Sequence, residues 1–429
     1  MNHAFTLFFA DALADDRGVV EAPASMLVQW ADAWPRVTLL AVGSPAAVAS
    51  HPAADSARRV NLGHRLLIPA LVNAHTHLDL TSVGPQPFDE TAGFTGWIDA
   101  VRASRPATDD LIAESVKLGI EKSLVGGVVA VGDIAGDWSP TPLQTLRDSP
   151  LSGVSFLECF GLGAHAHGAI ARFKAITASV PLHKNNVTLG FQPHAPYSAG
   201  ASLYQHATDL CNKLQIPLST HLAESLAERQ CVTNRQGPIR EFLESLGLWN
   251  DEVAQEFGKA PTPVQHIATP LASAPWLVAH VNDCSDADLD LLAQTRTTVV
   301  YCPRASAYFG HNRDFGAHRY QDMLDRGVRV VLGTDSILCL PQAEANRLSV
   351  FDEMRLLRRR DRTDPVALLT MATSAAADVL GLGADHYRLN PGPTAGVASI
   401  ELPADCSGDP LERSLLGASI PTLLSNESV

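Results

Sequence analysis

No two cysteines stand in a CxxC pair. The seven are scattered singly, at Cys159, Cys211, Cys231, Cys284, Cys302, Cys339 and Cys406, and the number is odd. That pattern argues against a disulfide framework or a cysteine-rich zinc site and fits a reducing, cytoplasmic compartment. Lys and Arg are absent before Arg17 while acids begin at Asp11, so the start does not read as a signal peptide. No apolar run approaches the ~18 residues of a membrane span. Positive charge is scarce: 32 Lys plus Arg face 46 Asp plus Glu, a formal charge of −14. An acidic surface repels phosphate backbones, which argues against nucleic-acid binding as the main task. Arg355, Arg358, Arg359 and Arg360 form the one dense basic run, expected as a solvated helix face.

What is present is apolar and regularly spaced. The chain has 429 residues, 46% of them hydrophobic, enough for a large core. Eight short apolar runs recur: 66–74, 127–134, 153–160, 186–193, 216–221, 276–281, 297–302 and 328–334. They are nearly continuous rather than alternating, as strands covered on both faces must be. Helical signals lie between them. Thr108, Asp109 and Asp110 open a helix carrying Ile112, Val116, Ile120 and Leu124, and Ser285 to Asp288 reads as a capping box. Gly327 and Gly381 close helices, and Asp364-Pro365 opens one. Eight strands alternating with helices predict an α/β fold, a (β/α)8 barrel over 66–380. Segments 1–65 and 381–429 carry short β pieces and are expected to form one small β-sandwich domain from both ends.

In such a barrel, functional groups sit just past the C-terminal ends of strands. The first strand runs into His75-Thr76-His77, whose period of two puts both imidazoles on one side. The fourth ends at His194, the fifth at His221 with Glu224 three residues on, the sixth holds His280, and the eighth ends at Asp335. Three His and one Asp suit Zn2+, with Fe2+ as the alternative, and leave a position open for water. A divalent ion lowers the pKa of that water toward ~7. Glu224 can also be read as a helix N-terminal acid favoured by the dipole. A second pair, His165 and His167, lies in a Gly/Ala stretch and reads as loop. Glu158, inside the third strand, reads either as a neighbour of the site or as a buried partner.

LIPALVNAHTHLDL, HAPYS, STHLAES and LGTDS, in that order over about residues 60–380, resemble the amidohydrolase superfamily, specifically its mononuclear aminohydrolase branch. The resemblance implies the barrel, the composite β domain, one divalent ion and a set of roles. His75, His77 and His221 would hold the ion, with Asp335 as fourth ligand and proton acceptor. His280 would orient the attacking water, and Glu224 would carry a proton to a ring nitrogen. Binuclear members carry a carbamylated Lys after the fourth strand; here no Lys occurs from Gly190 to Tyr204. Ala305-Ser306-Ala307 departs from a CPxSN-like stretch, and LNPGPTAGVASIEL departs from the usual ending.

FTGWI, GPIREFLESLGLW and the Arg304 segment are most similar to aminofutalosine-deaminase-type sequences. The resemblance implies hydrolytic deamination of an adenine-type nucleoside. Hydrolysis of a ring amide or a chloro-heterocycle on the same fold is the alternative, and a non-catalytic binding protein ranks last. Substrate contacts are expected from Arg304, as a clamp on a carboxylate, from Phe94 and Trp97 by stacking, and from His194 and His311 by hydrogen bonds. The partner is a small molecule, with no nucleic acid and no membrane, and a homodimer is the default.

Overall fold

The computed structural model describes residues 5–30, 37–136, 139–404 and 407–426; Cys406 and the first four residues lie outside them. The chain falls into two compact units, one of Met1–Ala74, Glu121–Ala130 and Asn346–Val429, the other of His75–Ile120 and Val131–Ala345.

Eight parallel strands follow one another in chain order around a barrel: β1 (Leu71–Thr76), β2 (Val128–Ala135), β3 (Ser152–Cys159), β4 (Val187–Pro193), β5 (Leu218–Leu222), β6 (Trp276–His280), β7 (Thr298–Tyr301) and β8 (Arg329–Leu332). A bridge between Thr76 and Asp335 closes the ring. Apart from Thr188 and Arg329, every residue of these strands is buried, which is why the runs read as continuously apolar. Closure needs Gly333. A Cβ there would lie 2.8 Å from His75 Cβ and 2.9 Å from His75 O. With no side chain in the way, Thr334 and Asp335 N–H both donate to His75 O at 3.1 Å. The helix-opening signals hold. Ser285 and Asp288 form a complete capping box, and Asp364 caps the helix Pro365–Met371.

Two five-stranded sheets form the terminal sandwich, and each takes strands from both chain ends. Phe8, Met26, Val28 and Leu39 of one sheet pack with Leu13, Leu67 and Val397 of the other in one core cluster.

Two expectations change. The run 66–74 is not one strand. Arg65–Pro69 pairs antiparallel with Val397–Glu401 in the sandwich, and the barrel strand begins only at Leu71. Pro69 has no N–H to continue a ladder, and Ala70 N–H turns to Gly396 O. The basic run is a solvated face only in part: Arg359 and Arg360 are exposed, but Arg355 is buried and Arg358 half-buried. Arg355 donates to Ser414 O and Ser419 O, Arg358 pairs with Glu412, and Arg359 donates to Leu416 O and Gly417 O. Arg355 and Arg359 thus satisfy carbonyls at the end of helix Pro410–Leu416, where orphan acceptors and the helix dipole favour them.

Candidate active site

His75 is the last residue but one of β1, and His77 follows the strand. Both are buried, and His75 Nδ1, His75 Nε2 and His77 Nδ1 have no hydrogen-bond partner among the described residues. His221 joins them from β5, with one ring nitrogen from each of the three within 4.8 Å of the others. Its Nδ1 lies 3.0 Å from His194 O. A carbonyl only accepts, so Nδ1 carries the proton and the lone pair of His221 is on Nε2. Burial pushes all three imidazoles well below their usual pKa, His221 to about 4. They are therefore neutral, as metal ligands must be. Asp335 Oδ1 stands 3.4 Å from His77 Nε2 and 3.9 Å from His75 Nε2. These separations exceed a hydrogen bond and suit ligands sharing one ion. Orphaned buried nitrogens, neutral rings and a facing carboxylate together fit a divalent cation held by three His and one Asp.

Glu224, His280 and Asp335 form a second cluster beside the first. Glu224 Oε1 is 3.7 Å from His280 Nε2. Burial raises the Glu224 carboxyl well above its usual range, with Asp335 and Glu228 adding to the effect, and raises Asp335 to about 6. A carboxyl raised in this way holds a proton more readily than a free one.

The backbone that aims these groups is strained. Eight non-glycine residues have positive φ among the described residues. Gln215, Arg235 and Arg362 are helix C-caps, and Asn185 follows the short strand His183–Lys184. The other four are Ala223 (52°), His280 (77°), Val281 (53°) and Asp335 (57°), all at the rim. Left-handed backbone in side-chain-bearing residues persists only where the surroundings over-determine it. Thr76 Oγ1 donates to Asp335 O at 3.1 Å, and Ser336 N–H donates to Asp335 Oδ1 at 2.8 Å. His318 Nδ1 accepts from Tyr320 N–H at 3.0 Å, so its Nε2–H donates to His280 O at 2.8 Å. The two clusters share a cavity of about 670 Å3.

The chain matches the Amidohydrolase family over residues 66–413. It belongs to the amidohydrolase family. It is 29% identical over 395 residues to a 5-methylthioadenosine/S-adenosylhomocysteine deaminase of Nitratidesulfovibrio vulgaris, covering 86% of this chain and 78% of that protein. It is 27% identical over 394 residues to an aminodeoxyfutalosine deaminase of Deinococcus radiodurans, covering 87% and 85%. Among solved structures, Helicobacter pylori aminofutalosine deaminase in complex with methylthio-coformycin superposes with a TM-score of 0.76 at 19% identity, covering 98% of both chains.

Within this amidohydrolase site, the expected substrate contacts divide. Phe94, Trp97 and His194 line the cavity. Phe94 stacks on Trp97 with centroids 6.2 Å apart, and it also packs on the cluster around Leu162 and Leu243. His194 stacks on Phe160 at 4.5 Å. Arg304 and His311 are not among the lining residues. Arg304 is buried, and its Nη1 is held by Glu344 at 2.9 Å, so the carboxylate-clamp expectation is replaced by a structural ion pair. His311 is buried against Phe309. His165 and His167 begin the helix His165–Ser179 rather than a loop, and only His165 reaches the cavity. Glu224 is not on a helical turn. It precedes Ser225, the cap of helix Leu226–Asn234.

Other residues escaped the sequence reading. Arg105 lines the cavity and pairs with buried Asp79 at 2.8 Å. Asp79 stands two residues past His77, the signal that was available. Asp133 accepts from Leu78 N–H at 3.1 Å, and burial, with Asp79 beside it, lifts it to about 8. Glu158 did not escape: read from the sequence as either a neighbour of the site or a buried partner, it is buried, lines the cavity with Oε1 3.7 Å from His221 Nδ1, and burial lifts it to about 7.

Proposed function

We propose that this amidohydrolase is a metal-dependent aminohydrolase that replaces the ring amino group of an adenine-type nucleoside by oxygen, consuming water and releasing ammonia. The observation that carries the reading is the Glu224–His280–Asp335 cluster set beside three neutral imidazoles. Replacing an amino group on a ring carbon needs a nucleophilic water, a proton for the ring nitrogen and a proton for the leaving amine. A divalent ion held by His75, His77, His221 and Asp335 would supply the acidified water. Asp335 takes the proton that the water loses. Glu224, protonated because it is buried, gives a proton to the ring nitrogen as the carbon becomes tetrahedral. His280 holds the attacking oxygen in line. The proton on Asp335 then leaves with ammonia, and Glu224 recovers its proton from the ring or the new hydroxyl.

The names of the two sequence relatives support an adenine nucleoside carrying a 5′ substituent. Phe94 and Trp97 offer flat apolar surface to such a group. Zinc is the ion of this proposal, because imidazole and carboxylate ligands with an open position are its usual catalytic set. A cytoplasmic setting fits the absence of disulfides among the six cysteines of the described residues, and a symmetric homodimer is the default assembly. No helix among the described residues is long and apolar enough to cross a membrane.

The test is ammonia release from protein of known metal content, over adenosine, S-adenosylhomocysteine, 5-methylthioadenosine, aminodeoxyfutalosine, guanine and a chloro-triazine. Turnover of an adenine nucleoside is the expected result. Turnover of the triazine alone, or of nothing with metal bound, overturns it.

A further inference from the structure

Helix Leu226–Asn234 opens with a serine cap and a glutamate three residues on. Ser225 Oγ accepts from Glu228 N–H at 3.2 Å. In an ordinary capping box the acid then returns to the N–H of the cap residue itself. Ser285 and Asp288 do so in this same chain: Asp288 Oδ2 accepts from Ser285 N–H at 2.8 Å. Glu228 does something else. Its Oε1 accepts from Ala223 N–H at 3.0 Å and its Oε2 from Glu224 N–H at 2.8 Å. The carboxyl bypasses its own helix cap and grips the two residues before it.

We propose that Glu228 is a positioning residue whose carboxyl clips the left-handed turn at Ala223 and so aims the Glu224 side chain into the cavity. The inference rests on the reading of Glu224 as the proton carrier. Three observations carry it. First, Glu228 is fully buried and does not line the cavity, so it does not meet substrate. Second, the same two peptide units are held from the other side: Asp283 N–H donates to Ala223 O and Asn282 Nδ2 donates to Glu224 O, both at 3.0 Å. All four main-chain polar groups of Ala223 and Glu224 are thus fixed by residues from two rim segments. Third, the Glu224 carboxyl is itself loosely held, with His280 Nε2 at 3.7 Å, beyond hydrogen-bond distance. Its direction therefore comes from the main chain, and the main chain is in a conformation that Ala does not adopt unaided.

The experiment compares Glu228→Gln in the wild-type enzyme and in a Glu224→Gln background, with kcat, KM, bound metal and Tm measured for each. The amide keeps one acceptor but turns N–H groups toward a facing N–H. The expected result is a kcat lowered by about 10–100-fold, the scale of a misaimed group, with KM within about threefold and bound metal unchanged. In the Glu224→Gln background the second change is expected to leave the residual kcat as it was, because nothing remains to aim. An equal loss in both backgrounds makes Glu228 a general structural residue and overturns the proposal, as does wild-type kcat in the single variant. Should the amide fail to fold, Glu228→Asp keeps the carboxyl but reaches fewer N–H groups, and the same pair of backgrounds decides. A Glu224→Gln enzyme with near wild-type kcat would instead remove the reading on which the inference stands.

Discussion

In the terminal sandwich Asp15 is fully buried, and both of its oxygens are used. Oδ1 accepts from Arg17 N–H and Nε–H, and Oδ2 from Arg17 Nη2 and Leu389 N–H. At the rim of the barrel His75 is just as buried, and neither ring nitrogen has a hydrogen-bond partner among the described residues. The backbones differ in the same way. Among the described residues of the terminal unit only Arg362 is a non-glycine residue at positive φ, and it caps a helix. The rim has four in which no helix end explains the angle. On the proposed reading, polar groups that serve stability are satisfied within the protein, whereas those that serve chemistry are left without a hydrogen-bond partner of their own.

The largest break in this contrast is His75→Ala. If the orphaned nitrogens await an ion, the variant should lose tight metal binding and kcat should fall by at least about a thousandfold, the scale of several kcal/mol of lost metal assistance. Its Tm measured without metal should be close to that of the metal-free wild type. Metal content by elemental analysis and a thermal melt of both chelated proteins check this. Retained metal at wild-type stoichiometry would mean that the three imidazoles are not one site.

The contrast also explains what was legible. His75, His77, His221, His280 and Asp335 could be placed because a parallel barrel delivers the end of each strand to one rim, and each of these residues is written at such an end. Arg304 was misread because its fate depends on Glu344, forty positions away, and no local pattern announces that pair. Arg105 is hidden for the same reason, its partner Asp79 lying 26 positions away, although Asp79 itself stands two residues past His77. Glu228 was hidden differently. S-x-x-E is visible in STHLAESLAE, but the letters are those of an ordinary cap, and which N–H groups the acid takes is decided by the fold. In the fold, strand existence survived because apolar runs are strong signals. The join at Pro69–Leu71 did not, because one uninterrupted apolar stretch serves two sheets.

Asp15→Asn tests the satisfied side of the comparison. Burial pushes Asp15 up, but the hydrogen bonds and charge of Arg17 and the Leu389 N–H outweigh it and leave the pKa below its usual value. A depressed carboxylate stabilises the fold above its unfolded pKa, and that stability is lost as pH falls through the folded value. The wild type should therefore lose stability below about pH 4, and the variant should show less of that acid-side loss. At neutral pH the amide should cost about 1–3 kcal/mol, read by urea unfolding, with kcat unchanged at a temperature where both proteins are folded. A matching fall in kcat would show that the sandwich and the rim are not separable in function.

The smallest effect should come from Ala223→Gly, and it is the most discriminating. Glycine adopts φ near +52° without the clash that Ala suffers, which is worth about 1 kcal/mol to the folded state. The change also removes a fully buried methyl, worth about 0.8 kcal/mol in the other direction. The two nearly cancel, so Tm should hardly move. The kinetic outcome then turns on what holds the turn. If the four hydrogen bonds from Glu228, Asn282 and Asp283 fix the peptides, the added freedom of glycine is suppressed and kcat should stay within about threefold. If the turn instead depends on the Ala223 side chain packed beneath it, kcat should fall by an amount comparable to that of Glu228→Gln. Only the first outcome is consistent with a rim whose strain is maintained by hydrogen bonds from neighbouring segments.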